Sequence, residues 1–144
     1  MLVDQILQEG IYPFPGGKEI AMYEITVTLH FSGAHRLRYL HGKCEELHGH
    51  NWKVEVSVAS NRVGKDGLVI DFGILKQKVD KVLKSLDHTY LNDLPCFSGT
   101  EPSSENIAKY IFDRMKTELK GHSVTLTKVA AWESETSSAT YFGR

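Results

Sequence analysis

The chain has 144 residues, of which 17 are lysine or arginine and 18 are aspartate or glutamate, giving a formal net charge of −1. This length suits one domain and is too short for two ordinary ones. The balanced charge excludes the basic pattern of a nucleic-acid-binding protein, and no apolar run approaches the ~18 residues of a membrane span. Two cysteines make a poor disulfide framework and no secretory signal precedes them, so we expect a cytoplasmic protein.

The elements are predicted in chain order from their apolar periodicity. Residues 1–21 are expected to form an N-terminal extension, because two prolines and two glycines interrupt Tyr12–Gly17. Apolar and polar residues then alternate from Met22 to His35 and over about 48–60, which predicts two strands. The pattern next predicts a possible short strand at 68–71 and a helix over 72–86, followed by an irregular stretch. It then predicts a helix over 103–119 and two strands, over 123–133 and 138–143.

This order of elements predicts an α+β fold in which both helices cover one face of an antiparallel sheet. The other face is expected to be partly apolar and to need a partner. We therefore expect an oligomer.

Three histidines are predicted to meet at one end of an apolar strand face. His48 and His50 are two residues apart on the second strand, so both side chains leave the same face. His35 continues the apolar alternation of the first strand if no bulge intervenes. Imidazole is the commonest neutral metal ligand, and three such nitrogens with one open position are typical of catalytic zinc. A zinc site is therefore favoured over a merely polar strand end.

Other reactive side chains lie at predicted loops and strand ends. Cys44 has charged neighbours, so we expect it to be exposed and reactive rather than a buried packing residue. Asp87 and His88 can form a general acid–base unit. Because adjacent side chains do not easily meet, His88 can instead pair with Cys44; the alternative is a polar helix end. Glu133 can accept two parallel N–H bonds from an amidine-like edge, unless it is a solvated strand end.

Several segments together resemble the 6-pyruvoyltetrahydropterin synthase / 6-carboxytetrahydropterin synthase family. They are Phe31–Leu37 (FSGAHRL), Cys44–His50 (CEELHGH), Leu86–Asn92 (LDHTYLN), Ser103–Asn106 (SSEN) and Glu133 eight residues before Tyr141. They follow the family's order over residues 22–144, which we treat as a single domain. The resemblance implies the tunnelling fold, a four-stranded antiparallel sheet with two helices on one face. It also implies a homohexamer, built as a dimer of trimers with sites between subunits, and the substrate 7,8-dihydroneopterin triphosphate.

The resemblance also implies roles for the residues singled out above. Zinc would be bound by His35, His48 and His50, and proton transfer would use Cys44 with Asp87 and His88. Glu133 would hold the pterin's 2-amino and N3 edge, and Glu45 would be a second substrate-binding residue.

The resemblance leaves the product open. A cysteine with three residues between it and His-Gly-His resembles the queuosine-pathway branch, which makes 6-carboxy-5,6,7,8-tetrahydropterin with loss of acetaldehyde and triphosphate. The biopterin branch, which makes 6-pyruvoyltetrahydropterin, has a longer spacing. A third branch has a glutamate at the position of Glu45 and cleaves the side chain to 6-hydroxymethyl-7,8-dihydropterin. A chain with both Cys44 and Glu45 can belong to either type or do both reactions. A non-catalytic zinc- or pterin-binding module would need neither Cys44 nor Asp87.

Overall fold

The computed structural model describes residues 22–42 and 44–143 and has an α+β fold. The strands are β1 (Tyr23–His35), β2 (His48–Ser60), β3 (Thr89–Tyr90), β4 (Thr125–Ser134) and β5 (Ser137–Phe142), and the helices are α1 (Phe72–Leu83) and α2 (Ser104–Glu118). The expected N-terminal extension, residues 1–21, lies outside the described residues.

One sheet contains all of these strands in the order β3-β1-β2-β4-β5. The pairs β1–β2, β2–β4 and β4–β5 are antiparallel, as predicted. The predicted four strands gain a fifth at the edge, where Thr89 and Tyr90 pair in parallel with Gly33 and Ala34 of β1. Two residues are too few to give a periodic signal, so the sequence predicted an irregular segment there.

Both helices pack on one face of the sheet and form the core with it. The apolar stripe of α1 is buried through Leu75, Val79, Val82 and Leu83, and that of α2 through Ile107, Ala108, Ile111, Phe112 and Met115. From β1, β2 and β4 the core takes alternate residues such as Phe31, Trp52 and Val129. This burial of apolar area is the main stabilising term of such a fold.

The residues at the starts of the two helices agree with the predicted start of α2 and correct the prediction of a strand before α1. Ser103 caps α2 by accepting a hydrogen bond from Asn106 N at 3.3 Å, close to the predicted start of this helix. Asp71 caps α1 in the same way, accepting from Ile74 N at 3.0 Å. The possible strand at 68–71 is therefore wrong, because this segment leads into the cap and pairs with no strand among the described residues. The first helix also ends at Leu83, before the predicted residue 86.

The sheet face away from the helices is mainly polar. Exposed Thr26 and Thr28 and half-buried Lys53 lie on it, together with half-buried Trp132, and Phe142 is 54% exposed. Lys53 Nζ lies 4.4 Å from the centre of the Trp132 ring, which covers part of the apolar surface. The apolar share of this face is thus small, and its covering by a partner stays a prediction.

Candidate metal centre and adjoining pocket

Four side chains bring possible metal-ligand atoms to one point. One atom each from His35, His48, His50 and Glu133 lies within 4.8 Å of the others. His35 Nε2 is 3.0 Å from His48 Nε2 and 3.3 Å from Glu133 Oε1, and His50 Nε2 is 2.8 Å from the same oxygen. Tetrahedral ligands about 2.05 Å from a zinc ion are separated by about 3.3 Å, so the cluster has the size of a metal site.

The register of the sheet produces this cluster. β1 and β2 pair without a bulge, so His35 lies directly opposite His48 and His50 lies opposite Gly33. On β4, Glu133 falls at an irregularity in the pairing with β5, between Trp132 and Ser134. The strand alternation that buries Val129 and Ala131 turns Glu133 to the same face as the histidines.

Buried aromatic rings form the floor of the cluster. Trp52 is fully buried, and its ring centre lies 4.9 Å from that of His35 and 5.0 Å from that of His50. It stacks on Phe31, its cross-strand neighbour, with the ring planes 5° apart. This packing restricts the imidazole rotamers, so the nitrogen positions are largely fixed before any ligand binds.

Hydrogen bonds define which nitrogens are available. His35 Nδ1 donates to the carbonyl of Pro102 at 2.8 Å, and His48 Nδ1 donates to the carbonyl of Glu46 at 2.8 Å. In the neutral rings both Nε2 atoms therefore carry lone pairs, which face each other at 3.0 Å. Such lone pairs repel unless a proton or a cation lies between them.

The third imidazole also has a nitrogen without a hydrogen bond. His50 Nε2 is buried and lacks a hydrogen-bond partner among the described residues, although Glu133 Oε1 is only 2.8 Å away. A close approach without a hydrogen bond is what two ligands of one ion show. Burial lowers the pKa of His50 below its ordinary value, and the neighbouring imidazoles add to this effect while Glu133 opposes it. The neutral, metal-binding form of the ring is thereby favoured. The residues present fit a divalent cation.

A cavity of about 230 Å³ adjoins the cluster. His35 and Glu133 belong to its wall, and the other polar residues of the lining come from the start of α2 (Ser103, Ser104 and Glu105) and from β5 (Ser137 and Ser138). The residues at the start of α2 serve in the sequence analysis as a helix start and as one segment of the family resemblance, with no place in the site. Glu135, the second acidic residue near the end of β4, lies exposed in the turn and does not line the cavity.

Glu45, a predicted substrate-binding residue, is tied to the segment after His35. Its backbone N–H donates to Leu37 O at 2.8 Å, and its Oε1 accepts from Leu37 N at 3.1 Å. The same oxygen lies 3.8 Å from His48 Nδ1. Cys44, next to it, is a free and exposed thiol, as expected from its charged neighbours.

The acid–base pair of Asp87 and His88 lies at a second cavity, of about 500 Å³, whose lining includes His88, Ser32 and also His50 of the cluster. The described contacts join neither member of the pair to Cys44 or to Glu133. The expectation that the two neighbours would not meet is wrong, because His88 Nδ1 lies 2.9 Å from Asp87 Oδ2. His88 has φ 55°, which brings the two side chains together.

Backbone contacts with β1 hold this pair in place. His88 N donates to Ser32 O at 2.6 Å, and Ser32 N donates to Asp87 Oδ1 at 2.9 Å. The Ser32 N–H is the main reason that the pKa of Asp87 lies below its ordinary value, and His88 adds to the effect.

Comparison with known proteins identifies the family. Residues 24–144 match the sequence pattern of 6-pyruvoyl tetrahydropterin synthase. The chain belongs to this family. A 6-carboxy-5,6,7,8-tetrahydropterin synthase of Synechocystis is 38% identical over 126 residues, covering 84% of this chain and 94% of the relative. A dihydroneopterin monophosphate aldolase of Pyrococcus furiosus is 40% identical over 103 residues, covering 72% and 82%.

Solved structures agree with this pterin-synthase assignment. The 6-pyruvoyl tetrahydropterin synthase of Caenorhabditis elegans superimposes with a TM-score of 0.76 at 27% identity, covering 89% of this chain and 100% of the other. The fold is thus the tunnelling fold that the sequence predicted, and the chain is an enzyme of the pterin-synthase type. Within residues 22–42 and 44–143, neither helix is long and apolar enough to cross a bilayer.

Proposed function

We propose that the protein is a zinc-dependent 6-carboxy-5,6,7,8-tetrahydropterin synthase of the queuosine pathway. It converts 7,8-dihydroneopterin triphosphate with loss of acetaldehyde and triphosphate. The observation that carries the proposal is the convergence of three imidazoles and a carboxylate at metal-site spacing beside a polar cavity. The similarity to 6-carboxytetrahydropterin synthases supports the choice of product.

The zinc ligands in this proposal are His35, His48 and His50. Their nitrogens converge at metal-site spacing, and the outer nitrogens of two of the rings are held by backbone carbonyls. When bound, zinc polarises substrate hydroxyls and makes the neighbouring protons easier to remove.

Glu133 has two compatible uses. Its oxygen is close enough to the imidazoles to be a fourth ligand, and its side chain also lines the cavity. With substrate present we assign it to the pterin, whose 2-amino and N3 groups present two parallel N–H bonds to a carboxylate. The three imidazoles would then hold the ion, and the adjoining cavity would receive the substrate.

Proton transfer is assigned to Cys44 as base and to Asp87 with His88 as the second pair. The described contacts do not join these groups within one chain. We therefore propose that the site is completed between subunits, in the hexamer implied by the family resemblance.

Glu45 is the basis of the alternative product. A relative named as an aldolase supports a second reaction that cleaves the side chain to 6-hydroxymethyl-7,8-dihydropterin. Against this, the carboxylate of Glu45 is engaged by Leu37 N, so it would have to leave that contact to act as a base.

Product analysis tests the proposal. Zinc-loaded protein is incubated with 7,8-dihydroneopterin triphosphate, and the products are separated by chromatography. We expect 6-carboxytetrahydropterin as the main product, with a shift toward the hydroxymethyl product in Cys44→Ala. Glu45→Gln keeps an acceptor for Leu37 N, so an unchanged profile in this variant would remove Glu45 from the chemistry. Binding of pterin without turnover would instead indicate a non-catalytic module.

A further inference from the structure

A network of hydrogen bonds holds the segment that follows the metal ligand His35. Arg38 Nη1 donates to Glu101 Oε1 at 3.3 Å, and Arg38 N donates to Glu101 Oε2 at 2.6 Å. The guanidinium also reaches two backbone carbonyls, with Nη2 at 3.3 Å from Asn92 O and 3.4 Å from Phe97 O. One arginine thus ties the end of β1 to the irregular segment before α2.

The same segment supplies the carbonyl that orients His35. Pro102, next to Glu101, accepts the hydrogen bond from His35 Nδ1 at 2.8 Å. Glu101 is held from its other side as well, because Asn106 Nδ2 donates to its carbonyl at 2.9 Å. The position of the Pro102 carbonyl therefore depends on both side chains of the Arg38–Glu101 pair, and with it the direction of His35 Nε2.

Three features distinguish this pair from an ordinary surface ion pair. Its side chains are only 30% and 26% exposed, it makes hydrogen bonds to backbone as well as the ion pair, and it joins segments far apart in sequence. The pair of Lys81 and Glu118 joins α1 to α2, with side chains that are 70% and 14% exposed, and its described contacts include no side-chain hydrogen bond to backbone. An ion pair made by an exposed lysine alone contributes little to stability.

Asn92 extends the network to the residue directly after His35. Its Oδ1 accepts from Arg36 N at 3.0 Å and its Nδ2 donates to Arg36 O at 2.9 Å. The backbone of Arg36 is thereby paired although it lies beyond the end of β1. The same segment, residues 92–102, thus holds the ring of His35 and the backbone of the next residue, Arg36.

We propose that Arg38 and Glu101 are positioning residues for the metal site. They hold the Pro102 carbonyl so that His35 keeps its proton on Nδ1 and directs the Nε2 lone pair at the cation. The inference rests on the proposed metal site. It differs from that proposal in assigning part of the metal affinity to two residues that do not reach the ion.

The test is metal affinity in the full-length protein. Dissociation constants for Zn²⁺ and Co²⁺ are measured by chelator competition in wild type, Arg38→Ala, Arg38→Lys and Glu101→Gln, and the visible spectrum of the Co²⁺ form is recorded. Because outer partners of metal ligands change affinity by about 10–100-fold, we expect about 10-fold weaker binding in Arg38→Ala and Glu101→Gln. Lysine keeps the charge but not the fork of donors, so Arg38→Lys should recover only part of the affinity.

Glu118→Gln is the matched control, since it breaks an ion pair that is distant from the histidines. We expect this variant to keep the dissociation constants for Zn²⁺ and Co²⁺ within twofold of wild type and to leave the Co²⁺ spectrum unchanged. The Arg38 and Glu101 variants could lose thermal stability but keep both metal dissociation constants within twofold of wild type, with the same Co²⁺ spectrum. That result would overturn the inference and leave the metal site standing. If wild type itself binds neither ion, the metal site and the inference fall together. Should Arg38→Ala not fold, the size-conserving variants decide the matter.

Discussion

Glu133 offers the sharpest separation of substrate binding from metal binding. Glu133→Gln keeps the size of the side chain but replaces one acceptor oxygen with a donor that would face the N–H groups of a pterin. Hydrogen bonds to a charged group contribute about 1.5–3 kcal/mol. Because the side chain of Glu133 is 36% exposed, we take the lower part of this range, about 1.5–2 kcal/mol, which corresponds to about 10–30-fold weaker binding. The three imidazoles remain, so we expect bound zinc to be retained.

The measurement is isothermal titration of zinc-loaded protein with 7,8-dihydroneopterin, with metal analysis of the same samples. Glu135→Gln is the control, because Glu135 lies in the exposed turn outside the cavity, and its affinity should stay within about twofold of wild type. A larger loss of pterin affinity in Glu135→Gln than in Glu133→Gln would refute the reasoning. So would a Glu133→Gln protein that loses its zinc but, once reloaded, binds the pterin as wild type does.

Three further variants test single residues. His48→Ala should lose zinc on dialysis against a chelator while His30→Ala, on the polar face of the sheet, keeps it; full zinc retention in His48→Ala would remove that residue from the site. Cys44→Ala should fold and keep zinc but lose about 10²-fold in turnover, whereas Cys96→Ala, the other exposed thiol, should not; near-normal turnover of the former would contradict its role as base. The pKa of Asp87 is lowered in the folded protein. The stability that its carboxylate adds relative to Asp87→Asn should therefore be present above pH 3.8, its ordinary pKa, and should be lost as the pH falls through the lowered pKa of the folded state. Urea unfolding at about pH 6 and about pH 3 measures this, and a difference that does not change with pH would show that the carboxylate charge is not involved.

The parts of the structure that repeat with a regular period could be predicted from the sequence. The alternation around Val54 and Val56 placed β2, and the stripe of Leu75 and Val79 placed α1. The histidines followed from the same rule, because a strand without a bulge carries its parity from Phe31 to His35. Local periodicity thus determines both the core and the point where the core ends in polar ligands.

The parts that depend on contacts between distant segments could not be predicted. Glu133 meets the histidines because β4 pairs with β2. Which strand becomes the neighbour of another cannot be predicted from a local sequence pattern. The two-residue strand β3 exists only because β1 offers an open edge. Arg38 and Glu101 are 63 residues apart, and each alone looks like an ordinary surface charge. The positive φ at His88 likewise accompanies a backbone hydrogen bond to Ser32, a residue of a distant segment.

The surroundings of Cys44 and Glu45 bear on the choice of product. Glu45 uses both its backbone N–H and its carboxylate to hold Leu37, so it links the segment after His35 to the segment before His48. A carboxylate used in this way stabilises the site in its resting geometry, and taking up a proton would weaken the contact. Cys44 is exposed beside it as a free thiol, and the thiolate form of a cysteine is the one that acts as a base or nucleophile. The contacts of Glu45 therefore agree with the proposal that Cys44, rather than Glu45, transfers the proton, and product analysis of the two variants decides between them.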